Sequence, residues 1–170
     1  MELGCRMESK TFLKNEWPLA AILAVQIGLA APGLVGSPLW LDEAYSALMA
    51  RKGLSEIVSA MRFDAGPPLY YWILHGWRMV LGESEAALRC LSLLFSIFTT
   101  VAIYGYARKF ITHTSAWLAA GFWAISPLAV YYSQSARNYT LLALLTVGLI
   151  YAVTAVMVSQ KKRHFGLALL

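Results

Sequence analysis

Long apolar runs alternate with short polar interruptions along this chain. Residues 17–36 are predominantly apolar over 20 positions, about the length a helix needs to cross a bilayer core of ~30 Å. Comparable runs occupy 87–107, 115–133 and 139–158. Between the first run and the second the pattern changes. Leu41, Tyr45, Leu48 and Met49 recur at helical spacing, and so do Leu54, Ile57, Val58 and Met61, with Gly53 between the two sets. Asp42, Glu43, Arg51, Lys52, Glu56, Arg62 and Asp64 supply the polar faces. A third stretch, 67–82, opens on Pro67-Pro68 and closes on Gly82. Its apolar residues Leu69, Tyr70, Ile73, Leu74, Trp77, Val80 and Leu81 keep the 3.6-residue period, but it is short and carries His75 and Arg78. That combination predicts a helix lying at the membrane surface.

Composition explains why a bilayer is required. Of the 170 residues, 59% are hydrophobic and 14% charged, against about 25% charged in soluble domains. So few charges cannot cover a water-facing surface, whereas lipid accepts an apolar exterior. The net charge of +5 comes from clusters between the apolar runs, at Lys10/Lys14, Arg108/Lys109 and Lys161/Lys162/Arg163. No basic patch interleaved with aromatics lies on one element, which excludes nucleic acid as a partner. With 67–82 interfacial, the N-terminus, Arg108/Lys109/His113 and Lys161–His164 all fall on one side, as the positive-inside rule requires. If 67–82 crossed, the last two clusters would move to the opposite side from the first. The prediction is therefore an all-α, polytopic transmembrane helix bundle in a single domain. It has four spans, with residues 37–86 as an external loop of juxtamembrane amphipathic helices. The first run is long for a signal peptide and lacks a clean small-x-small cleavage site, so it reads as a retained anchor. Residues 165–170 read as the start of a fifth span that stops short, so the chain reads as a fragment of a longer protein or as a truncated reading frame. Its two cysteines, Cys5 and Cys90, imply no disulfide framework.

This topology gathers Asp42, Glu43, Asp64, Arg89, Arg137 and Asn138 on one side of the membrane. Each has an ordinary structural role open to it. Asp42 suits a helix N-cap, and Glu43 in a first turn suits the helix dipole. Asp64, before Ala-Gly-Pro-Pro, suits a turn. Arg89 and Arg137 suit snorkelling positions at span ends. His75 has no second ligand at i±4 and reads as a polar-face residue rather than a metal ligand. Asn138-Tyr139-Thr140 matches a glycosylation sequon but abuts a span. The chemical reading is that acids and cations meet at the membrane face. A carboxylate there can act as general base on a hydroxyl, and cations can stabilise a phosphate leaving group. No G-x-G-x-x-G, Walker A, H-E-x-x-H or G-x-S-x-G sequence occurs, so nucleotide-fold, zincin and hydrolase-elbow chemistry have no support.

Several of these residues sit in segments that resemble one family. Trp40-Leu-Asp-Glu-Ala-Tyr45, just after the first span, resembles the Asp-Glu motif of membrane-embedded type C glycosyltransferases. Asp64-Ala-Gly-Pro-Pro-Leu-Tyr-Tyr-Trp72 resembles the later part of their first external loop, and Glu85-Ala-Ala-Leu-Arg89 the start of their second span. Ser126-Pro127 and Ser133-Gln-Ser-Ala-Arg-Asn-Tyr139 resemble the end of their third. The group includes protein O-mannosyltransferases, lipid A aminoarabinose transferases and bacterial members related to glycosyltransferase family 39. The resemblance implies an inverting transfer of a sugar from a polyprenyl-phosphate donor to an acceptor outside the cytoplasm, which for a bacterial member means the outer face of the plasma membrane. It implies Asp42 as catalytic base, with Glu43 assisting or orienting it. Asp64 would lie near the donor phosphate or a divalent metal, and Arg89, Arg137 and Asn138 would face the phosphate or support the loop. Some members carry an Asp near the external end of the third or fourth span, whereas residues 131–140 here hold Arg137 and Asn138 but no carboxylate.

Two other readings compete. One is a truncated, catalytically inactive membrane protein. The other is a transporter-like helix bundle, which the absence of mid-span charges and of paired broken helices disfavours.

Overall fold

The structure is a computed structural model that describes residues 17–35, 38–62 and 67–167, with side chains described as far as Ser159. The described residues form eight helices and no strand: α1 (Trp17–Leu34), α2 (Leu41–Arg51), α3 (Leu54–Met61), α4 (Pro68–Leu81), α5 (Glu85–Phe110), α6 (His113–Ile125), α7 (Pro127–Ser133) and α8 (Tyr139–Leu167).

Three of them, α1, α5 and the Tyr139–Ser159 part of α8, are long and apolar enough to cross a membrane. The chain is an integral membrane protein. α5 is the central member and packs against α1, α4, α6, α7 and α8. Half of its apolar window is buried by protein, against 11% for α1 and 6% for α8. The outward faces of α1 and α8 therefore suit contact with lipid chains. Local chemistry sets the limits of α5. Ser84 Oγ accepts the Ala87 amide at 3.2 Å as N-cap, Glu85 sits in the first turn, and Arg108 and Lys109 sit in the last. Those charges complement the helix dipole at both ends.

Side-chain pairs fix the directions. Arg89, at the start of α5, reaches the Gly33 carbonyl at the end of α1, whereas Tyr104, near the end of α5, stacks on Trp117 of α6 at 4.7 Å. Ser92 Oγ donates to the Arg137 carbonyl just before α8, while Tyr106 meets Thr154 well along it. α1 and the α6–α7 pair therefore run antiparallel to α5, and α8 runs parallel to it.

The apolar run 115–133 is not one helix. It divides at Ser126–Pro127, where proline lacks an amide and disfavours helical geometry in the residue before it. Ser126 has ψ 126°, outside the helical range. α6 and α7 together still travel from one end of α5 to the other.

The three shorter helices cover the end of the bundle that carries Arg89. Buried Ala50, Ile57, Met61, Tyr70, Tyr71 and Leu74 pack with Leu88, Leu91 and Phe95 of α5 and with Ala136 and Leu141. Three hydrogen bonds tie α4 to its neighbours: His75 Nδ1 to the Ala50 carbonyl (2.9 Å), Trp72 Nε1 to Leu54 (3.2 Å) and Trp77 Nε1 to Ala87 (2.7 Å). α4 has 14 residues, roughly 21 Å at 1.5 Å per residue, well short of a bilayer core. Gly82, at φ 84°, ends it, a backbone conformation that glycine adopts without strain. The buried face of α2 is not the one its periodicity suggested. Glu43, Ser46 and Ala50 face inward, while Leu41 and Leu48 are exposed. A carboxylate at position 43 with a partner inside the bundle outweighs the preference of two leucines for burial.

Candidate active site

The site is built around Glu43. α2 begins at Leu41, with Trp40 in the N-cap position. Glu43 reaches back and accepts the Trp40 amide through Oε2 at 3.1 Å, so it is Glu43 and not Asp42 that caps the helix. Its carboxylate also receives Arg89 in bidentate fashion, Nε to Oε1 at 3.0 Å and Nη2 to Oε2 at 2.7 Å. Oε1 accepts a fourth donor, the Ala136 amide, at 2.9 Å. Arg89 donates further to the carbonyls of Pro38 (3.2 Å) and Gly33 (3.4 Å). Both charged side chains are almost wholly buried, Arg89 at 1% and Glu43 at 2% exposure. A buried ion pair is tolerated when every lone pair and proton finds a partner, and here both carboxylate oxygens are doubly engaged. Burial pushes the Glu43 carboxyl up, but the hydrogen bonds from Arg89, Ala136 and Trp40 outweigh it and hold the group below its ordinary value. One carboxylate thus joins the start of α2, the start of α5 and the turn between α7 and α8.

That junction places Asp42 beside Arg137. Arg137 Nη1 donates to the Asp42 carbonyl at 3.3 Å, and its own carbonyl accepts Ser92 Oγ at 3.3 Å. Asp42 and Arg137 line one pocket of about 390 Å³ with Trp40, Tyr131, Ser135 and Tyr139. Asp42 is exposed, in contrast to the Glu43 next to it. The two acids of the Asp-Glu pair therefore occupy different environments, one open to a ligand and the other sealed into the fold. Arg137 has its guanidinium carbon 5.8 Å from the Tyr139 ring centroid, and its Nε is buried without a hydrogen-bond partner among the described residues.

Of the residues singled out in the sequence, Asp42, Glu43, Arg89 and Arg137 come together at one end of the bundle, opposite the end bearing Arg108, Lys109 and His113. Asn138 joins them through its backbone, its carbonyl accepting the Leu142 amide at 3.0 Å to start α8. Asp64 lies outside the described residues. Among the described residues no three His, Cys, Asp or Glu side chains lie together as metal ligands. The aromatic walls of the pocket, Trp40, Tyr131, Tyr132 and Tyr139, were not anticipated. Their signal was present in the chain, since aromatics at the ends of apolar runs mark the membrane interface, but that reading points to anchoring rather than to a ligand.

The family described as dolichyl-phosphate-mannose-protein mannosyltransferase matches residues 65–170. The chain belongs to this family. The matched region contains Arg89, Arg137 and α5 to α8, while Asp42 and Glu43 precede it. No curated protein and no solved structure gives a significant match. The mannosyltransferase family and the membrane-spanning helices together make this a glycosyltransferase-type integral membrane protein.

Proposed function

We propose that the pocket beside α2 transfers a sugar, mannose by the family's description, from a polyprenyl-phosphate donor to a hydroxyl acceptor. The observation that carries this reading is the pairing of an open carboxylate, Asp42, with a guanidinium, Arg137, in one cavity at the end of a membrane bundle. Asp42 takes the proton from the acceptor hydroxyl. The acceptor oxygen attacks the anomeric carbon from the face opposite the phosphate, and the bond from that carbon to the phosphate oxygen breaks. The electron pair leaves on the polyprenyl phosphate, so the configuration inverts. Arg137 offsets the charge that develops there. Glu43 and Arg89 act on this chemistry by position. Their pair fixes α2 against the 134–138 turn, and so sets the separation of Asp42 from Arg137.

In the same reading α1, α5, the α6–α7 pair and α8 cross the membrane, α4 lies at its surface, and the pocket opens on the non-cytoplasmic side. The basic residues Arg108, Lys109 and His113 at the opposite end support that orientation. The decisive experiment is Asp42→Asn in the full chain, assayed with a polyprenyl-phosphate-linked mannose donor in membranes. Asparagine keeps the backbone carbonyl that Arg137 and Ser46 hold, so insertion should survive. Transfer should fall by about 10²–10⁴-fold. A variant that transfers as well as the wild type removes Asp42 from the mechanism.

A further inference from the structure

The end of α1 is held from outside the helix. Pro32 sits inside it, one residue before Gly33, and its missing amide removes a backbone hydrogen bond from the last turns. Three carbonyls around this point accept side chains from elsewhere in the chain. Arg89 of α5 donates to those of Gly33 and Pro38, at 3.4 and 3.2 Å. The third, that of Leu29, accepts Gln134 Nε2 at 3.1 Å, from a residue 105 positions further along. Gln134 follows the last residue of α7 and opens the turn that carries Arg137.

Gly33 is what lets that side chain lie where it does. A Cβ at position 33 would run into Gln134 Cδ and Oε1 and lie 2.7 Å from Cγ, closer than real Cβ contacts come. At Gly28 on the same helix, an added Cβ meets nothing within 4 Å. Stability gives little reason for the contact. Gln134 is half-buried, and a hydrogen bond that water can replace adds little. Buried bonds from Gln26 to Ser96 and Thr100 already join α1 to α5. What the contact adds is direction. Glu43 of α2 holds the Ala136 amide, and Ser92 of α5 holds the Arg137 carbonyl. Two ties at adjacent residues leave the turn able to pivot about them. A third, two residues earlier and on another helix, stops that pivot.

We propose that Gln134 is a positioning residue for the transfer site: its carboxamide, bonded to Leu29 across Gly33, turns Arg137 toward Asp42, and glycine at 33 leaves room for it. The inference rests on the transfer reading above and adds α1 to the elements that set the Asp42–Arg137 geometry. Gln134 does not line the Asp42 pocket, although its neighbours Ser135 and Arg137 do. It acts through the turn. A misplacement of about 1 Å between reacting groups can cost about 10²-fold in rate, so a freed pivot falls on the chemical step more than on binding. A methyl group at 33 meets only the far end of a flexible side chain. It therefore displaces Gln134 and leaves α1 itself no weaker, because alanine favours a helix more than glycine does.

The test compares Gly33→Ala, Gln134→Ala and the two combined, in the full chain, with Gly28→Ala as control. Transfer from a polyprenyl-phosphate-linked mannose donor is measured per folded protein. Each of the three should lower kcat by about tenfold with KM within about twofold of the wild type. The double variant should lose no more than either single one, because both changes remove the same contact. Gly33→Ala should resist thermal inactivation as well as the wild type does, and Gly28→Ala should match the wild type throughout. A second readout needs no transfer. Spin labels on Leu48→Cys in α2 and Leu128→Cys in α7, both exposed, in a background without Cys5 and Cys90, report the distance between these helices. Its distribution should broaden in the three variants and not in the control. Wild-type kcat with an unbroadened distribution overturns the proposal. So does a double variant whose losses multiply, or a loss of transfer that only tracks a loss of folded protein. A wild type that transfers no mannose rejects the transfer reading, and the distance distributions then still decide whether Gln134 holds the turn.

Discussion

Glu43 and Arg89 meet carboxylate to guanidinium through two hydrogen bonds of 3.0 and 2.7 Å, with 2% and 1% of their side chains exposed. Breaking such a pair from one side leaves a buried charge without its partner, which costs about 3–5 kcal/mol. Glu43→Gln and Arg89→Met should each destabilise the protein by that order, read as thermal inactivation in detergent. Replacing both partners by methionine removes both charges at once and should cost clearly less than the sum of the single changes. Additive losses would show that the pair is not coupled.

The same pair gives the fold an acid limit. The Glu43 carboxyl is held below its ordinary value, so the folded chain binds that proton less readily than the unfolded chain does. The stability this provides is fully present above the unfolded pKa, near 4.5, and is lost as pH falls through the lower folded value. Glu83, exposed and held low by Arg78 and Arg51, acts in the same direction at the surface. Unfolding midpoints in detergent should therefore drop as the medium is acidified below about pH 4.5. The double methionine variant at 43 and 89 should show a shallower drop, and an unchanged slope would count against Glu43 as a source of it.

Inside the bundle, Gln26 joins α1 to α5. Its amide donates to Ser96 Oγ at 2.9 Å and accepts from Thr100 Oγ1 at 2.7 Å, with all three residues buried. Such bonds between membrane helices contribute about 0.6–2 kcal/mol. Gln26→Leu should lower stability within that range without changing the pocket, because Ser96 and Thr100 lie two to three turns of α5 away from Arg89. A loss of transfer out of proportion to the loss of stability would contradict this placement.

Topology can be checked with a single cysteine. Lys52 is exposed at the end of α2. In a background without Cys5 and Cys90, Lys52→Cys should react with a membrane-impermeant maleimide added outside intact cells. Reaction only after the cytoplasmic side is opened would reverse the orientation.

The helices of this fold were legible in the sequence to different degrees. The apolar runs 17–36, 87–107 and 139–158 correspond to α1, α5 and α8, because a bilayer-length run leaves the backbone little choice. The period of Leu54, Ile57, Val58 and Met61 anticipated α3, and Pro67-Pro68 with Gly82 bracketed α4. The division at Pro127 was readable from its chemistry alone, but apolarity on both sides concealed it. The rotation of α2 was not readable, because it depends on Arg89, 46 residues further along the chain. The cluster of Asp42, Glu43, Arg89 and Arg137 was anticipated as sharing one side of the membrane. The sequence held no sign that one acid would be sealed and the other open. That difference arises only where the 134–138 turn brings the Ala136 amide to Glu43.

The Glu43 junction has a consequence for how this protein varies. One carboxylate receives donors from positions 40, 89 and 136, and two of these are backbone amides that any non-proline residue supplies. The junction itself therefore bars only proline at 40 and 136, although Ala136 is also confined by the core around it and Trp40 lines the Asp42 pocket. Positions 43 and 89, by contrast, should change together or stay fixed. Aligned relatives in which an acid at 43 faces an apolar residue at 89, or the reverse, should be rare, and frequent examples would show that the junction is held by other means.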